Sequence, residues 1–249
     1  IVLNNAQKEA YDRICEGFGN GKPVLLHGVT GSGKTEIYIK QAQKTIAEGR
    51  NVLYLVPEIA LSRQLEERLN VHFGGKVITY HSGESAARRR AAAEDVRSHP
   101  DEGRGGYIVL GTRSSLFLPH HDLGLIVVDE EHDSSYKQDS PAPRYNGRDT
   151  ALMLSTIHGS NIILGSATPS LEELYNCSIG KHTLVRLEER YHAGESAGVM
   201  IIDTKAERRK KGMEGNFSRK LISLIRETLS KGEQVMILRS RRAWAPVLQ

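Results

Sequence analysis

The sequence predicts an α/β fold, a mostly parallel sheet with helices on both faces. Two observations carry this. Six short apolar runs rich in β-branched residues recur along the first two-thirds of the chain, and helical stretches fall between them. The runs are apolar throughout rather than alternating, so each reads as a strand covered on both sides. Strand followed by helix, repeated, is the pattern of parallel crossovers.

Val24–His27 is the first run, and Thr35–Glu48 reads as the helix after it. Val52–Val56 leads into a helix over Ser62–Val71, and Val77–Tyr80 into Ser85–Ser98, rich in Ala and Arg. Tyr107–Leu110 and Leu125–Val128 are the next strands. Arg148–His158 then carries Ala151, Leu152, Leu154 and Ile157 at helical spacing, and Ile162–Leu164 closes the series. After about Leu184 the pattern changes. Glu188–Gly198 is polar, Val199–Asp203 reads as a strand, and Ala206–Gly215 (AERRKKGMEG) is a charge run expected to be a solvated loop. Phe217–Ser230 reads as a helix and Gln234–Leu238 as a strand. The expected organisation is a first domain over 1–184, a connector over 185–215 and the truncated beginning of a second domain over 216–249. The first residue is Ile1 rather than Met, which suggests a piece of a longer protein.

At 249 residues, with 39% hydrophobic and 26% charged side chains, the chain can bury a substantial core. A net charge of +4 permits a nucleic-acid partner without requiring one. Cys15 and Cys177 are far apart and outside any C-x-x-C, so neither a zinc site nor a disulfide framework is implied. No apolar run approaches the roughly 20 residues that span a bilayer, and no signal peptide is visible. The expectation is a cytoplasmic protein without a membrane partner.

Gly28-Val29-Thr30-Gly31-Ser32-Gly33-Lys34-Thr35 fits G-x-x-x-x-G-K-[ST] between a strand and a helix. Glycines let backbone N–H groups turn inward around phosphate oxygens, and the helix start adds partial positive charge. Lys34 is placed to reach the β- and γ-phosphates of ATP, and Thr35 to offer a hydroxyl to Mg²⁺. The run Leu125–Val128 delivers Asp129 and Glu130 to the carboxyl end of a buried strand, where ligands of parallel sheets bind. Asp129 there can hold the metal, and Glu130 can activate the attacking water.

Asp129-Glu130-Glu131-His132 resembles the DExH box of superfamily 2 helicases, and Ser166-Ala167-Thr168 resembles the SAT motif of that superfamily. LLHGVTGSGKTEIY, VPEIALSRQ, YHSG, GTRSSLF, DEEHDSSYKQ…PRYNGRD, GSATPSLE and GEQVMIL…RRAWAP are similar, in order, to the helicase core of the PriA family of primosomal replication-restart helicases. Ser240-Arg241-Arg242-Ala243-Trp244 departs from the Asn-Arg-Arg-Gly-Tyr usual in that family.

The resemblance implies a RecA-like P-loop domain followed by the truncated start of a second RecA-like lobe. It implies an ATP-dependent DNA helicase that translocates on and unwinds DNA at stalled or abandoned forks for replication restart. The alternative is another superfamily 2 DExH ATPase that translocates without unwinding. Gln7 matches a glutamine that reads adenine. Pro57-Glu58 and Gly111-Thr112-Arg113-Ser114 match segments touching the DNA backbone, with Thr112 and Arg113 as contacts. Ser166 and Thr168 match the coupling motif, with His132 bridging it to the ATP site. The loop after the box is similar to an aromatic-rich DNA sensor: Tyr136 and Tyr145 stack on bases, Lys137, Arg144 and Arg148 meet phosphates, and Pro141 and Pro143 stiffen it. Single-stranded and forked DNA, primosome proteins and single-strand-binding proteins are the implied partners, in a bacterial, nucleoid-associated setting. The family's DNA-binding N-terminal region and its cysteine-rich zinc region are not in this chain. Its second lobe supplies arginine fingers, so this piece alone is expected to be weakly active. A P-loop GTPase would need N-K-x-D, which is missing, and a small-molecule kinase would leave the DExH box unexplained.

Overall fold

A computed structural model describes residues 1–58, 63–99, 105–189 and 198–238. The chain forms two compact units, Ile1–Gly194 and Glu195–Gln249.

In the first unit the elements follow in the order α1 (Asn5–Gly19), β1 (Val24–Gly28), α2 (Lys34–Ala47), β2 (Asn51–Leu55), α3 (Arg63–Phe73), β3 (Val77–Tyr80), α4 (Ala86–Ser98), β4 (Ile108–Gly111), β5 (Leu123–Val128), α5 (Gly147–His158), β6 (Asn161–Ser166), α6 (Leu171–Ser178) and β7 (Thr183–Leu187). Short 3-10 turns occupy Arg113–Phe117 and Ser134–Tyr136. The seven strands form one sheet in the order β3-β4-β2-β5-β6-β1-β7. Every pairing in it is parallel.

The period-2 geometry of strands divides the apolar runs between two cores. Val24, Leu26, Val52, Tyr54, Ile108, Leu110, Leu125 and Val127 face one side, against Ile14 of α1, Ile37 and Ala42 of α2 and Leu69 of α3. Leu25, Leu53, Leu55, Val109, Ile126, Val128 and Leu164 face the other, against Val96 of α4, Ala151 of α5 and Leu174 of α6. Each fully buried side chain of this size contributes about 1.5–3 kcal/mol relative to exposure. Because all strands run the same way, the turns after β1, β2, β4, β5 and β6 emerge along one edge of the sheet.

The predicted fold class is the observed one, and three elements of this unit were not foreseen. α1 begins with a reciprocal cap: Gln7 N–H donates to Asn4 Oδ1 at 2.8 Å, and Asn4 N–H donates to Gln7 Oε1 at 3.0 Å. α6 is capped by Ser170. β7 pairs with β1 and runs through the expected domain boundary at 184/185, because Val185 and Leu187 are needed to cover that edge of the core. Ser62, the expected start of the second helix, lies outside the described residues, and so do Arg241 and Arg242.

The second unit holds α7 (Thr204–Arg209), a two-residue hairpin of β8 (Met213–Glu214) and β9 (Phe217–Ser218), and α8 (Arg219–Ser230). The charge run therefore does not begin as a loop. Asp203 accepts from the N–H groups of Lys205 and Ala206, capping a segment of strong helix formers. The strands expected at Val199–Asp203 and Gln234–Leu238 do not form. Neither has a ladder partner among the described residues, and Val199, Ile201, Met236 and Leu238 are exposed.

Candidate nucleotide site and its couplings

β1 ends at Gly28 and α2 starts at Lys34, so the turn between them must reverse the chain tightly. Gly31 (φ 76°) and Gly33 (φ 86°) sit in the left-handed region where a side chain is strained. α1, α4, α5 and α6 are capped by the side chains of Asn4, Ser85, Asn146 and Ser170, but α2 opens on Gly33 with no side-chain cap. Its first N–H groups are therefore free to meet an anion. Ser32 Oγ is buried there without a protein partner. A cavity of about 320 Å³ lies over the turn, lined by residues 30–36, Asp129, Glu130 and Arg68. Lys34 is buried at its floor. Its Nζ donates to Gly28 O at 2.9 Å and lies 3.9 Å from Glu130 Oε1.

Asp129 follows the last residue of β5 and is held from three sides. Tyr38 of α2 donates to its Oδ1 at 3.3 Å, Tyr54 of β2 to its Oδ2 at 3.4 Å, and the Glu130 N–H to its Oδ1 at 3.1 Å. The two tyrosine rings meet edge to face at 5.7 Å. Burial, with the neighbouring charge of Glu130, pushes the Asp129 carboxyl up to about 6, while Lys34 draws it down. Burial also holds the Tyr38 and Tyr54 phenols protonated, so both remain donors. A buried, electron-rich carboxylate beside a threonine hydroxyl and an anion cradle is a donor set that fits a hard divalent cation bound with phosphate.

Glu130 has φ 47°, a conformation uncommon for a side chain other than Gly. That turn separates the four residues of the box. Glu130 Oε2 lies 3.7 Å from His132 Nδ1. His132 Nδ1 meets Ser166 Oγ at 2.7 Å and its Nε2 meets Thr168 Oγ1 at 3.2 Å, while Thr168 N–H donates to Ser166 Oγ at 2.9 Å. Gly165 stands behind this junction. A Cβ there would lie 1.7 Å from Tyr38 Oη, so glycine is what lets the phenol reach Asp129.

The family model for the DEAD/DEAH box helicases matches residues 4–177. The chain belongs to the DEAD/DEAH box helicase family. It is 41% identical to the replication restart protein PriA of Rickettsia felis over 246 residues, covering 99% of this chain and 36% of that protein. The corresponding proteins of Bacillus subtilis and Haemophilus influenzae are 37% and 39% identical, with 98% and 100% of this chain and 30% and 32% of theirs covered. The chain thus spans about a third of the length of these relatives. Among solved structures, RecG bound to a three-way DNA junction superposes with a TM-score of 0.61 at 18% identity, over 93% of this chain and 28% of RecG. The helicase MrfA bound to DNA and AMPPNP gives 0.52 at 25% identity, over 76% of this chain and 27% of MrfA.

Several side chains expected to contact ligands of this helicase domain are engaged by the protein itself. Tyr136 is 2% exposed and its hydroxyl donates to the Asp129 carbonyl at 2.8 Å, so its ring is a wall of the site and not a platform for bases. Arg148 is also buried. Its Nη1 meets Glu131 Oε2 at 3.2 Å and Ser170 Oγ at 2.9 Å, and its Nε meets Asp149 at 2.9 Å and Glu173 at 3.6 Å. Burial opposes the guanidinium charge, but Asp149, Glu131 and Glu173 outweigh it and hold its pKa above the usual value. Arg148 is a structural cation here and not a phosphate contact. Glu131 accepts in addition from Ser170 N–H at 2.8 Å and Ser170 Oγ at 3.0 Å. Gln7 lies beside the phosphate loop, yet its amide is taken up by Asn4 and by Gly33 O at 3.3 Å, so it braces the loop. Arg113 donates to the carbonyls of Ser135 (3.1 Å) and Lys137 (2.8 Å), and Thr112 is buried. Arg113 ties the turn after β4 to the loop after the box.

The remaining loop residues are accessible. Lys137 and Arg144 are exposed, with Lys137 3.4 Å from Asp139. Tyr145 is half-buried and meets the exposed Phe117 ring edge-on at 5.0 Å. Gln138 N–H donates to Tyr145 O at 2.8 Å and closes the loop. Pro57 and Glu58 end a described segment, and residues 59–62 of that motif lie outside it. Phe117, Tyr38, Tyr54, Glu131 and Glu173 were not singled out from the sequence. Tyr38 alone had a signal: it lies one helical turn after Lys34, on the same face of α2.

Proposed function

We propose that this chain is the ATP-binding core of a replication-restart DNA helicase, a RecA-like lobe with the beginning of a second. The observation that supports it most is the His132 bridge. One side chain ties Glu130, beside the phosphate-loop lysine, to Ser166 and Thr168 on the neighbouring strand end. A simple ATPase has no use for such a link, whereas a motor must transmit the state of its nucleotide. Lys34 and the uncapped start of α2 bind the triphosphate. Thr35 and Asp129 hold Mg²⁺, which when bound neutralises charge developing on the phosphates. Glu130 orients and deprotonates the attacking water.

DNA is the proposed polymer, passing over the turns that follow β2, β4 and β5. Phe117 and Tyr145 offer stacking faces, and Lys137 and Arg144 offer charge to phosphates. We take forked DNA as the substrate, with primosome and single-strand-binding proteins as partners and a bacterial cytoplasm as the setting, as the motif resemblance implies. The test is steady-state ATPase and strand separation by the longer protein on forked, single-stranded and plain duplex DNA. DNA-stimulated turnover with fork unwinding is expected. Stimulated turnover without strand separation would place it with DExH translocases that do not unwind, and no stimulation by any DNA would refute the motor reading.

A further inference from the structure

The cavity over the phosphate loop has one wall that no motif supplies. Arg68, from α3, lines it with the DExH acids and pairs with Glu36, an acid in the first turn of α2. The guanidinium Nη2 donates to Glu36 Oε1. A carboxylate at that point is favoured by the helix dipole. Yet it makes three carboxylates on one cavity, Glu36, Asp129 and Glu130, and the other cation, Lys34, already meets Gly28 O and lies near Glu130. Beside the Mg²⁺ proposed at Thr35 and Asp129, a triphosphate entering among three carboxylates gains from a second side-chain cation. Arg68 is the cation at hand. One of its five N–H groups is given to Glu36, and its side chain is 41% exposed, so further donors can reach an oxygen ligand.

We propose that Arg68 is a further nucleotide-binding residue, its guanidinium meeting phosphate oxygens of the bound triphosphate while Glu36 holds it in place. This rests on the ATP reading of the cavity. Arginine suits the task because its planar fork matches phosphate bidentately and never loses its charge. Lysine would keep the charge and lose the fork.

The experiment is titration of this chain with a fluorescent Mg²⁺–ATP analogue. It compares Arg68→Ala, Arg68→Lys, Glu36→Gln, the Glu36→Gln/Arg68→Ala pair, and Lys34→Ala as reference. Arg68→Ala should weaken binding roughly ten- to hundredfold, the loss of a charge-assisted hydrogen bond, with Arg68→Lys between it and the parent. Alanine is the best helix former at an exposed helical site, and Arg68→Gln substitutes if that variant does not fold by circular dichroism. The double variant should stay weak. Should it bind like the parent, Arg68 only neutralises Glu36 and the proposal falls. Parent-like binding by Arg68→Ala beside a crippled Lys34→Ala overturns the role of Arg68 alone. Parent-like binding by Lys34→Ala brings down the ATP reading of the cavity, and the Arg68 proposal with it.

Discussion

Arg148→Met removes the guanidinium from a buried cluster and leaves two carboxylates behind. Glu131 is fully buried and Glu173 is 1% exposed at the side chain, whereas the third partner, Asp149, is 58% exposed and loses little. After the change Glu131 keeps two donors from Ser170, and Glu173 keeps His182, 2.6 Å away. Neither keeps a guanidinium. Breaking a buried pair by deleting one partner costs about 3–5 kcal/mol. In a unit of this size 1 kcal/mol moves Tm by about 2–4 °C, so a fall of roughly 6–20 °C is expected. Arg148→Lys should lose less, since it retains the charge without the fork. Adding Glu173→Gln to Arg148→Met should recover part of the loss, because one uncompensated charge is then gone. Differential scanning calorimetry of the four proteins measures this, and a salt-dependent DNA-binding titration runs beside it. An Arg148→Met protein that melts within about 2 °C of the parent and instead loses DNA affinity would refute the network and restore Arg148 as a phosphate contact.

Lys34→Ala should abolish tight Mg²⁺–ATP binding, while Glu130→Gln should retain binding and stop turnover in the longer protein; equal loss of affinity in both would undo the division between phosphate binding and water activation. Replacing Phe117 and Tyr145 together by Ala should weaken single-stranded DNA binding by about 1–3 kcal/mol for each base no longer stacked, and an unchanged binding isotherm would remove them from the DNA path. Gly165→Ala should lower stability by about 1–3 kcal/mol through overpacking against Tyr38 and should weaken Mg²⁺–ATP binding as the phenol leaves Asp129; adding Tyr38→Phe should recover part of the stability, and no recovery would mean the clash lies elsewhere. Burial pushes the His120 imidazole down from 6.5 to about 4. The unfolded chain then binds more protons than the folded one between those values, so stability rises with pH across that window and is lost as pH falls through it. Urea midpoints of His120→Gln between pH 7 and pH 4 should slope less than those of the parent, and parallel slopes would exonerate His120.

The sheet was legible because its strands are buried on both faces. A run such as Leu125–Val128 admits few other readings once Gly and charged residues bound it, and the observed β5 extends it only to Leu123. β7 escaped because edge strands are covered on one side in part: Thr183 and Leu184 are half-buried and Arg186 is exposed, so Thr183–Leu187 carries no continuous apolar run. The strands read at Val199–Asp203 and Gln234–Leu238 show the converse. Composition alone marks apolar β-branched segments, but a strand exists only when a neighbour accepts its hydrogen bonds, and the described residues hold none for either.

The site was legible where its chemistry depends on residue type and spacing, and illegible where it depends on direction. The phosphate loop needs glycines with positive φ and a lysine at the helix start, so the motif and the geometry are the same statement. The loop after the box offered tyrosines and arginines of the right type to meet DNA, but type does not say which way a side chain turns. Glu130, at φ 47°, swings the chain so that the four residues of the box face different neighbours: Asp129 toward the two tyrosines, Glu130 toward Lys34, Glu131 toward Arg148 and Ser170, His132 toward Ser166 and Thr168. Once Glu131 turns inward it must find a cation and donors, since a buried carboxylate left alone is costly. Arg148, at the start of α5, supplies that charge, and Tyr136 turns in to cap the Asp129 carbonyl. The inward pull of the third acid therefore decides which loop residues are spent on the protein and which, Lys137, Arg144 and Tyr145, are left for a ligand. A change at Glu131 should for this reason disturb the loop and the SAT turn together, although it touches neither nucleotide nor polymer in the proposed mechanism.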